Sequence, residues 1–293
     1  MSVINFRIKA LGPVSHGDMG HGDLGNMQVF RRIPRVYDGR PVGVPAISAG
    51  SIRGVLRRLL WREVFAVCGL SRENTANWDR LYGALANGGH IEAAEARVTP
   101  DRIRARRAAL PVLSTLGAAL YTSHMAGRAR VSNAWVECVE LGEGYESHAS
   151  FVDLLAEESR VRHVDSEEQD PDVSMVTAMP TTIETVIAGA EFCGYMHVSG
   201  EIEPSVMAHG LDMVTHLGGK AGQGFGAVEI THDGDGEMWR DRLRDQQEEI
   251  TASLQELAGE LAAKTKTKKK KTGGKATEAA LKPAPSVLPT GIF

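Results

Sequence analysis

The order in which two periodicities alternate along the chain restricts the fold more than any other feature. Ile4, Phe6, Ile8 and Ala10 alternate with Asn5, Arg7 and Lys9, a period of two that fits a strand with one buried face. Gly12-Pro13 ends that strand. Ile52, Val55, Leu56, Leu59, Leu60 and Val64 then recur at helical spacing between Ser51 and Phe65, with Ser48 or Ser51 as the cap. From Gly127 to Val139 the period of two returns, setting Ala129, Val131, Asn133 and Trp135 on one face as a second core strand. Ala190 to Ser199 reads as a third strand. Pro204 to Leu217 reads as a helix with Pro near its first position and Gly218 at its stop. Gly226 to Thr231 reads as a fourth strand. With the intervening segments set aside, the order is strand, helix, strand, strand, helix, strand. That is the βαββαβ order of an α+β, ferredoxin-like or RRM-like domain. The fold alone does not name a function, because many such domains bind RNA and many do not.

The intervening segments read as insertions. Val29 to Val36 has the character of a basic edge strand interrupted at Pro34. Thr75 to Ala86 spaces Trp78, Leu81, Tyr82 and Leu85 as a second helix, and Asp101 to Leu110 forms a short Arg-rich one before Pro111. The stretch after Val139, to about Met179, is acidic and poor in apolar residues, and reads as an insertion closing in a hairpin. Trp239, Leu243, Ile250, Leu254, Leu257 and Leu261 mark one long amphipathic helix over 237–263. From Lys264 to Phe293 the chain holds eight Lys and one Glu with little to bury, so a disordered tail is expected over 264–293.

The whole chain carries −4, so this tail at +7 leaves −11 on the other 263 residues. Charge is segregated there too. Met1 to Leu60 holds nine Lys/Arg against three Asp, and Glu137 to Asp172 holds twelve acids against two Arg. Such blocks suit a local polyanion site on an acidic body, or head-to-tail self-association. No stretch approaches a membrane span, and the N-terminus lacks the apolar block of a signal peptide. Cys68, Cys138 and Cys193 are isolated from one another and form no CxxC pair. A reduced, cytoplasmic protein without a zinc site is expected.

Three segments could carry chemistry. Gly50-Ser51-Ile52-Arg53-Gly54 opens a helix, where free backbone N–H groups, the Ser51 hydroxyl, Arg53 and, one turn on, Arg57 suit phosphate. The alternative is an ordinary capped helix with surface arginines. Gly218 to Gly226 sets five glycines around Lys220, Ala221, Gln223 and Phe225, so Gly222 and Gly224 would let backbone approach a ligand closely. It is not a Walker motif or a dinucleotide fingerprint, since it lacks the Ser or Thr after Lys220 and precedes a strand. The loop with His16, Asp18, His21 and Asp23 has metal-ligand residue types, but a glycine loop without supporting partners fits a polar contact along a phosphate backbone better. No metal and no cofactor is expected, and no nucleophile–base pair with a local signature is present.

These motifs, in this order, resemble the backbone subunit of CRISPR effector complexes in the RAMP superfamily. Pro45-Ala46-Ile47-Ser48-Ala49-Gly50-Ser51-Ile52-Arg53-Gly54 is similar to the family's "IPGSSLRG" helix start. Leu116-Gly117 with Gly127-Arg128-Ala129-Arg130-Val131-Ser132-Asn133-Ala134 resembles "LFG…GRLxFxDA". Val186 to Phe192 resembles "VxxGTxF", and Leu217 to Gly226 resembles "LGGxxSRGFG". The match spans about Val3 to Thr231.

The resemblance implies a palm over 1–236, a thumb hairpin at about 164–182, and copies stacked helically along one guide RNA. Other effector subunits and a complementary target nucleic acid would be its further partners. Met175 and Met179 of the thumb would wedge against bases, and Arg31, Arg32 and Arg35 on the basic edge strand would seek phosphate. RNA-cleaving relatives carry an aspartate in the turn that here reads Gly25-Asn26-Met27-Gln28. Its absence implies a binding subunit that is not an enzyme, and the acidic body with the "GDMGHGD" loop is similar to type IV systems. Two other readings compete: a metal-dependent ribonuclease of the same fold using Asp18, Asp23 or His21, and an acidic oligomeric scaffold without RNA.

Two finer expectations follow. Arg53→Glu should weaken RNA binding without unfolding the protein. The glycine loop should be the RNA cradle, since Phe6 faces the core and Phe192 and Tyr195 fall on opposite faces of their strand, leaving the sheet without a stacking platform.

Overall fold

Strand β1 (Ser2–Ala10) buries every second residue, and Ile4, Phe6, Ile8 and Ala10 are each 3% exposed or less. The computed structural model of the protein describes residues 1–17, 27–89, 99–120, 123–161 and 180–271. After β1 comes the short strand β2 (Met27–Gln28), then β3 (Arg32–Tyr37) and β4 (Arg40–Ile47). These last two form a hairpin through Asp38-Gly39, where both residues have positive φ (46° and 70°) as a two-residue hairpin turn requires. Pro34 does not interrupt β3, because β3 lies at the sheet edge and a missing N–H costs no ladder bond on its open side.

Helix α1 (Ala49–Val67) follows, with the Ser48 hydroxyl accepting from Ser51 N. Next come α2 (Trp78–Leu85), α3 (Pro100–Ala109), α4 (Pro111–Leu116), the small hairpin β5 (Gly117–Leu120) and β6 (Ser123–Ala126), and strands β7 (Ala129–Val131) and β8 (Ala134–Val136). Then come β9 (Leu155–Val161), β10 (Pro180–Val186), β11 (Glu191–Val198), α5 (Glu203–Asp212), β12 (Val228–His232), α6 (Glu237–Asp245) and α7 (Gln247–Lys271).

The main sheet runs β12-β1-β11-β8-β4-β3, with β7 also paired to β11, and its strand pairs are antiparallel among the described residues. The architecture is α+β. Helices α1 and α5 cover one face and meet closely at Gly210, where an added Cβ would come within 3.2 Å of the side chains of Leu56 and Leu60. Phe6 lies across Gly194 in the facing strand, where a Cβ would sit 2.4 Å from the ring. Burial of Ile4, Phe6 and Ile8 of β1 in this core contributes about 1.5–3 kcal/mol for each side chain.

Gly127 to Val139 is not one strand. Met196 faces Val131 and Phe192 faces Val136, so five steps on one strand oppose four on β11. The extra residue is a bulge at Ser132-Asn133, fixed by Ser132 N donating to Tyr195 O and Tyr195 N donating to the Ser132 hydroxyl. The phase slips by one. Ala134 and Val136 are buried, and Trp135 turns to the opposite face from the one its alternation with Ala129 suggests.

A second sheet, β2-β10-β9, holds β9 and β10 as an antiparallel hairpin, at the place where the acidic insertion was expected to close. The hairpin's distal part, and with it Met175, Met179 and most of the expected thumb, lies outside the described residues. The expected long C-terminal helix is two helices broken at Gln246, and the second continues to Lys271, past the anticipated start of a disordered tail at 264. Nothing in the sequence before Gly273 stops it: Ala, Lys and Thr are all tolerated in a helix. Residues 272–293 lie outside the described residues. Among the described residues, no helix is long and apolar enough to cross a membrane.

Candidate nucleic-acid interface

The segment after β1 joins three sequence-remote parts. Ser15 O accepts from Gly219 N at 2.7 Å and Pro13 O accepts from Gly226 N at 2.8 Å, which clips both ends of the glycine loop to residues 13–15. Ser48 N donates to His16 Nε2 at 3.1 Å, tying the same segment to the start of α1. Arg31 N donates to His16 O at 2.7 Å, and the His16 ring meets Phe30 edge-on at 6.0 Å, which brings in the basic edge strand. His16 is thus the junction of the expected phosphate-seeking segments, and it acts structurally. His21, with Asp18 and Asp23, lies outside the described residues.

The start of α1 is largely occupied by the protein's own groups. Ser48 N is bound by His16, Ala49 N donates to Asn133 Oδ1 at 2.9 Å, and Ser51 N donates to Ser48. Gly50 remains exposed and Ser51 half-buried at that end. Arg53 and Arg57 do not reach outward as expected. Arg53 donates to Leu116 O at 2.5 Å and Ala129 O at 3.2 Å, and Arg57 donates to Leu116 O at 2.8 Å and Gly117 O at 2.5 Å. They cap the carbonyl end of α4, where a cation is favoured by the helix dipole. Burial lowers the pKa of both, Arg57 to about 10 with help from the neighbouring Arg53 charge.

On the edge strand, Arg31 and Arg35 are exposed. Arg32 is partly exposed and forms an ion pair with Glu184 of β10, a buried carboxylate that also accepts from Phe30 N at 2.8 Å. The Arg32 charge is therefore largely balanced within the fold.

In the glycine loop, the two ends and the middle play different roles. Gly218 and Gly226 have φ of +90° and +79°, and a Cβ on either would lie within 2.3 Å of a backbone oxygen. These two are required by the fold. Gly222 and Gly224 face open space, and only Gly224 has positive φ (+88°). Lys220 is half-buried with φ 61°, and Ala221 to Gly224 are exposed. Phe225 was expected at the ligand but is 1% exposed, an apolar anchor that pins the loop from below.

The sheet's uncovered face carries a feature that sequence reading missed. A groove of about 660 Å³ is lined by Arg7, Arg35, Trp135, Tyr145 and Tyr195, with Asn5 and Asn133 among its polar groups. Tyr195 is 48% exposed, and the Arg35 guanidinium lies over the Trp135 ring at 5.7 Å. The expected single exposed aromatic on this face, Tyr195, is joined there by Trp135. The bulge at Ser132-Asn133 puts Trp135 on the same face as Tyr195. The Ser-Asn pair inside an alternating run was the one signal that could have indicated it. At the groove's end, Tyr145 Oη lies 3.3 Å from Cys193 Sγ, and this hydrogen bond, with burial, pushes the phenol up to about 12. Among the described residues, no group of His, Cys, Asp and Glu is placed to hold a metal ion.

No protein-family model matches the chain, and no curated protein matches it. Solved structures do. A chain of a Type IV-B CRISPR complex superposes with a TM-score of 0.59 at 21% identity, covering 79% of this chain and 90% of that one. A chain of the Type III-B Cmr-beta complex bound to cognate target RNA aligns with a TM-score of 0.46 at 12% identity, covering 80% of this chain and 60% of that one. The overall α+β fold is thus shared with a chain of a Type IV-B CRISPR complex.

Proposed function

We propose that this protein is a backbone subunit of a type IV CRISPR ribonucleoprotein effector, binding guide RNA as a helical stack of copies and presenting it for target pairing. The observation that carries this reading is the shared fold with a chain of a Type IV-B CRISPR complex over nine-tenths of that chain's length. The strand order β12-β1-β11-β8, antiparallel with α1 and α5 on one side, supports a ferredoxin-like palm. The clustering of the glycine loop, the α1 start and the exposed Arg31 around His16 supports a phosphate-facing surface at one end of that palm. In such complexes base pairing reads sequence, so a subunit needs contacts to phosphate and sugar more than to base edges. We assign it no catalytic step.

The test is direct. The full chain purified from a host expressing a guide should carry nuclease-resistant RNA and form regular particles. Gly222→Val keeps an unstrained backbone in open space, so the variant should melt like the parent yet lose most of its RNA. Gly224→Val is less informative, because its positive φ strains any β-branched residue. A parent protein that binds no RNA and forms no particles with added guide would overturn the reading. Cleavage of labelled target RNA with divalent metal, abolished by Asp23→Ala, would overturn the non-catalytic part.

A further inference from the structure

We propose that the uncovered face of the main sheet is a second nucleic-acid contact, on which unpaired RNA bases stack against Trp135 and Tyr195. This inference rests on the reading of the chain as an RNA-binding protein, but it concerns a different surface from the glycine loop.

Four observations lead to it. First, the face is left open by the fold: α1 and α5 cover the opposite side, and the groove of about 660 Å³ is lined by side chains of β1, β3, β8 and β11. Second, two aromatic rings share it. Trp135 faces Cys193 across the β8–β11 ladder, and Tyr195 is two residues further along β11, so the two are diagonal neighbours on one side of the sheet. Diagonal neighbours lie about 7–8 Å apart, which leaves each ring able to take its own base. Third, Trp135 already holds a planar cation, the Arg35 guanidinium at 5.7 Å. This cation–π contact marks the indole face as the attractive surface that a base would also use. Arg35 is on a long, exposed stem at the sheet edge and can turn to a phosphate when a base replaces it.

Fourth, the polar groups and charges fit a single strand. Asn5 and Asn133 line the groove, each holding one amide atom to the protein (Asn5 Nδ2 to Asp233, Asn133 Oδ1 from Ala49 N), so only the other end of each amide is offered to a base edge. Arg7 and Arg35 are the cations lining the groove, and the exposed Arg31 and Arg40 add positive charge to the same edge of the chain. The carboxylates at and beside the groove are already engaged by the protein's own donors, and Asp233 stays a negative group at its end. Asp233 accepts from Asn5 N and Asn5 Nδ2, both at 2.8 Å, and the buried Glu137 lies 3.3 Å from Arg7 Nε. A purely apolar seam for another protein would not require amides and cations around two half-covered rings.

The experiment uses the full chain, stripped of nucleic acid with nuclease and high salt, and a short fluorescein-labelled oligouridylate at fixed ionic strength. Trp135→Ala and Tyr195→Ala should each weaken binding by about tenfold or more, in line with the loss of one stacked base. Trp135→Phe should recover most of the affinity. Parent fluorescence should be quenched on binding, and the quench should shrink in Trp135→Ala. Alanine variants that melt like the parent and bind the oligonucleotide equally well would overturn the inference. So would a Trp135→Ala variant that changes the sedimentation of RNA-free protein and not its RNA affinity, which would mark the face as a protein seam. The two proposals separate cleanly. Failure of the purified protein to carry guide RNA strikes the proposed function, whereas the oligonucleotide comparison on the same preparation decides the sheet face.

Discussion

At Leu116 and Gly117 the last carbonyls of α4 meet the guanidinium groups of Arg53 and Arg57, and this pairing changes what a charge reversal there would do. Arg53→Glu removes hydrogen bonds to Leu116 O and Ala129 O and sets a carboxylate against carbonyl oxygens. The variant should lose about 2–3 kcal/mol of stability, seen as a lower urea midpoint at unchanged slope. A drop in RNA affinity with no change in that midpoint would contradict the capping role. From the sequence alone the arginines read as surface charge, because nothing local tells where carbonyls some sixty residues away will end. Tyr145 gives a second residue-scale test. Its phenol is raised to about 12 by the Cys193 contact, so the folded protein holds this proton where the unfolded chain, near 10, has lost it. The stabilisation it contributes is complete below the unfolded value and is lost as pH rises from about 10 to 12. Absorbance titration should show Tyr145 ionising near pH 12, and Cys193→Ala should lower the pH at which it does so.

Glu184 adds a side-chain link between the β9–β10 hairpin and the start of the edge strand β3, beside the backbone pairing of β10 with β2. It is 7% exposed and accepts from both Phe30 N and Arg32. Glu184→Ala leaves a buried N–H without an acceptor and frees Arg32. A loss of about 3 kcal/mol is expected, with faster amide exchange at Phe30 as the local readout; unchanged exchange at Phe30 would show that the two sheets do not depend on this carboxylate. The elements themselves were legible to different degrees. β1, α1 and β11 kept one phase along their whole length, so their buried faces could be counted from the sequence. β8 could not be placed, since one extra residue at Ser132-Asn133 inverts everything after it. The β3–β4 hairpin was not among the expected elements, which held only an edge strand over Val29 to Val36 interrupted at Pro34, although Asp38-Gly39 is a two-residue turn signal.

For the whole molecule, the order of elements pointed to the α+β sheet and to the position of the glycine loop. The open groove was not legible, because it depends on the bulge and on which face the helices leave uncovered. Charge placement belongs to this scale too. Six of the eight lysines after Ala263 fall within 264–271, the last turns of α7, and lysines are favoured at a helix C-terminus. Replacing these six by glutamine should flatten the salt dependence of RNA binding while leaving affinity at high salt nearly unchanged; an equal loss at every salt concentration would instead make them part of the specific site.

The register of β1 has a consequence for how the protein is made. Its partners are β11 and β12, with Ser2 opposite Val198 and Phe6 opposite His232. Strand β1 therefore leaves the ribosome well before the inner strand β11 that it pairs with, and it must wait for nearly two hundred residues to be synthesised. At roughly 5–20 residues per second that is about 10–40 seconds, during which Ile4, Phe6 and Ile8 have no native partner strand. Chaperones that hold nascent chains should matter to the yield of this protein more than to its final stability, and truncated chains ending before Glu191 should aggregate where the full chain does not.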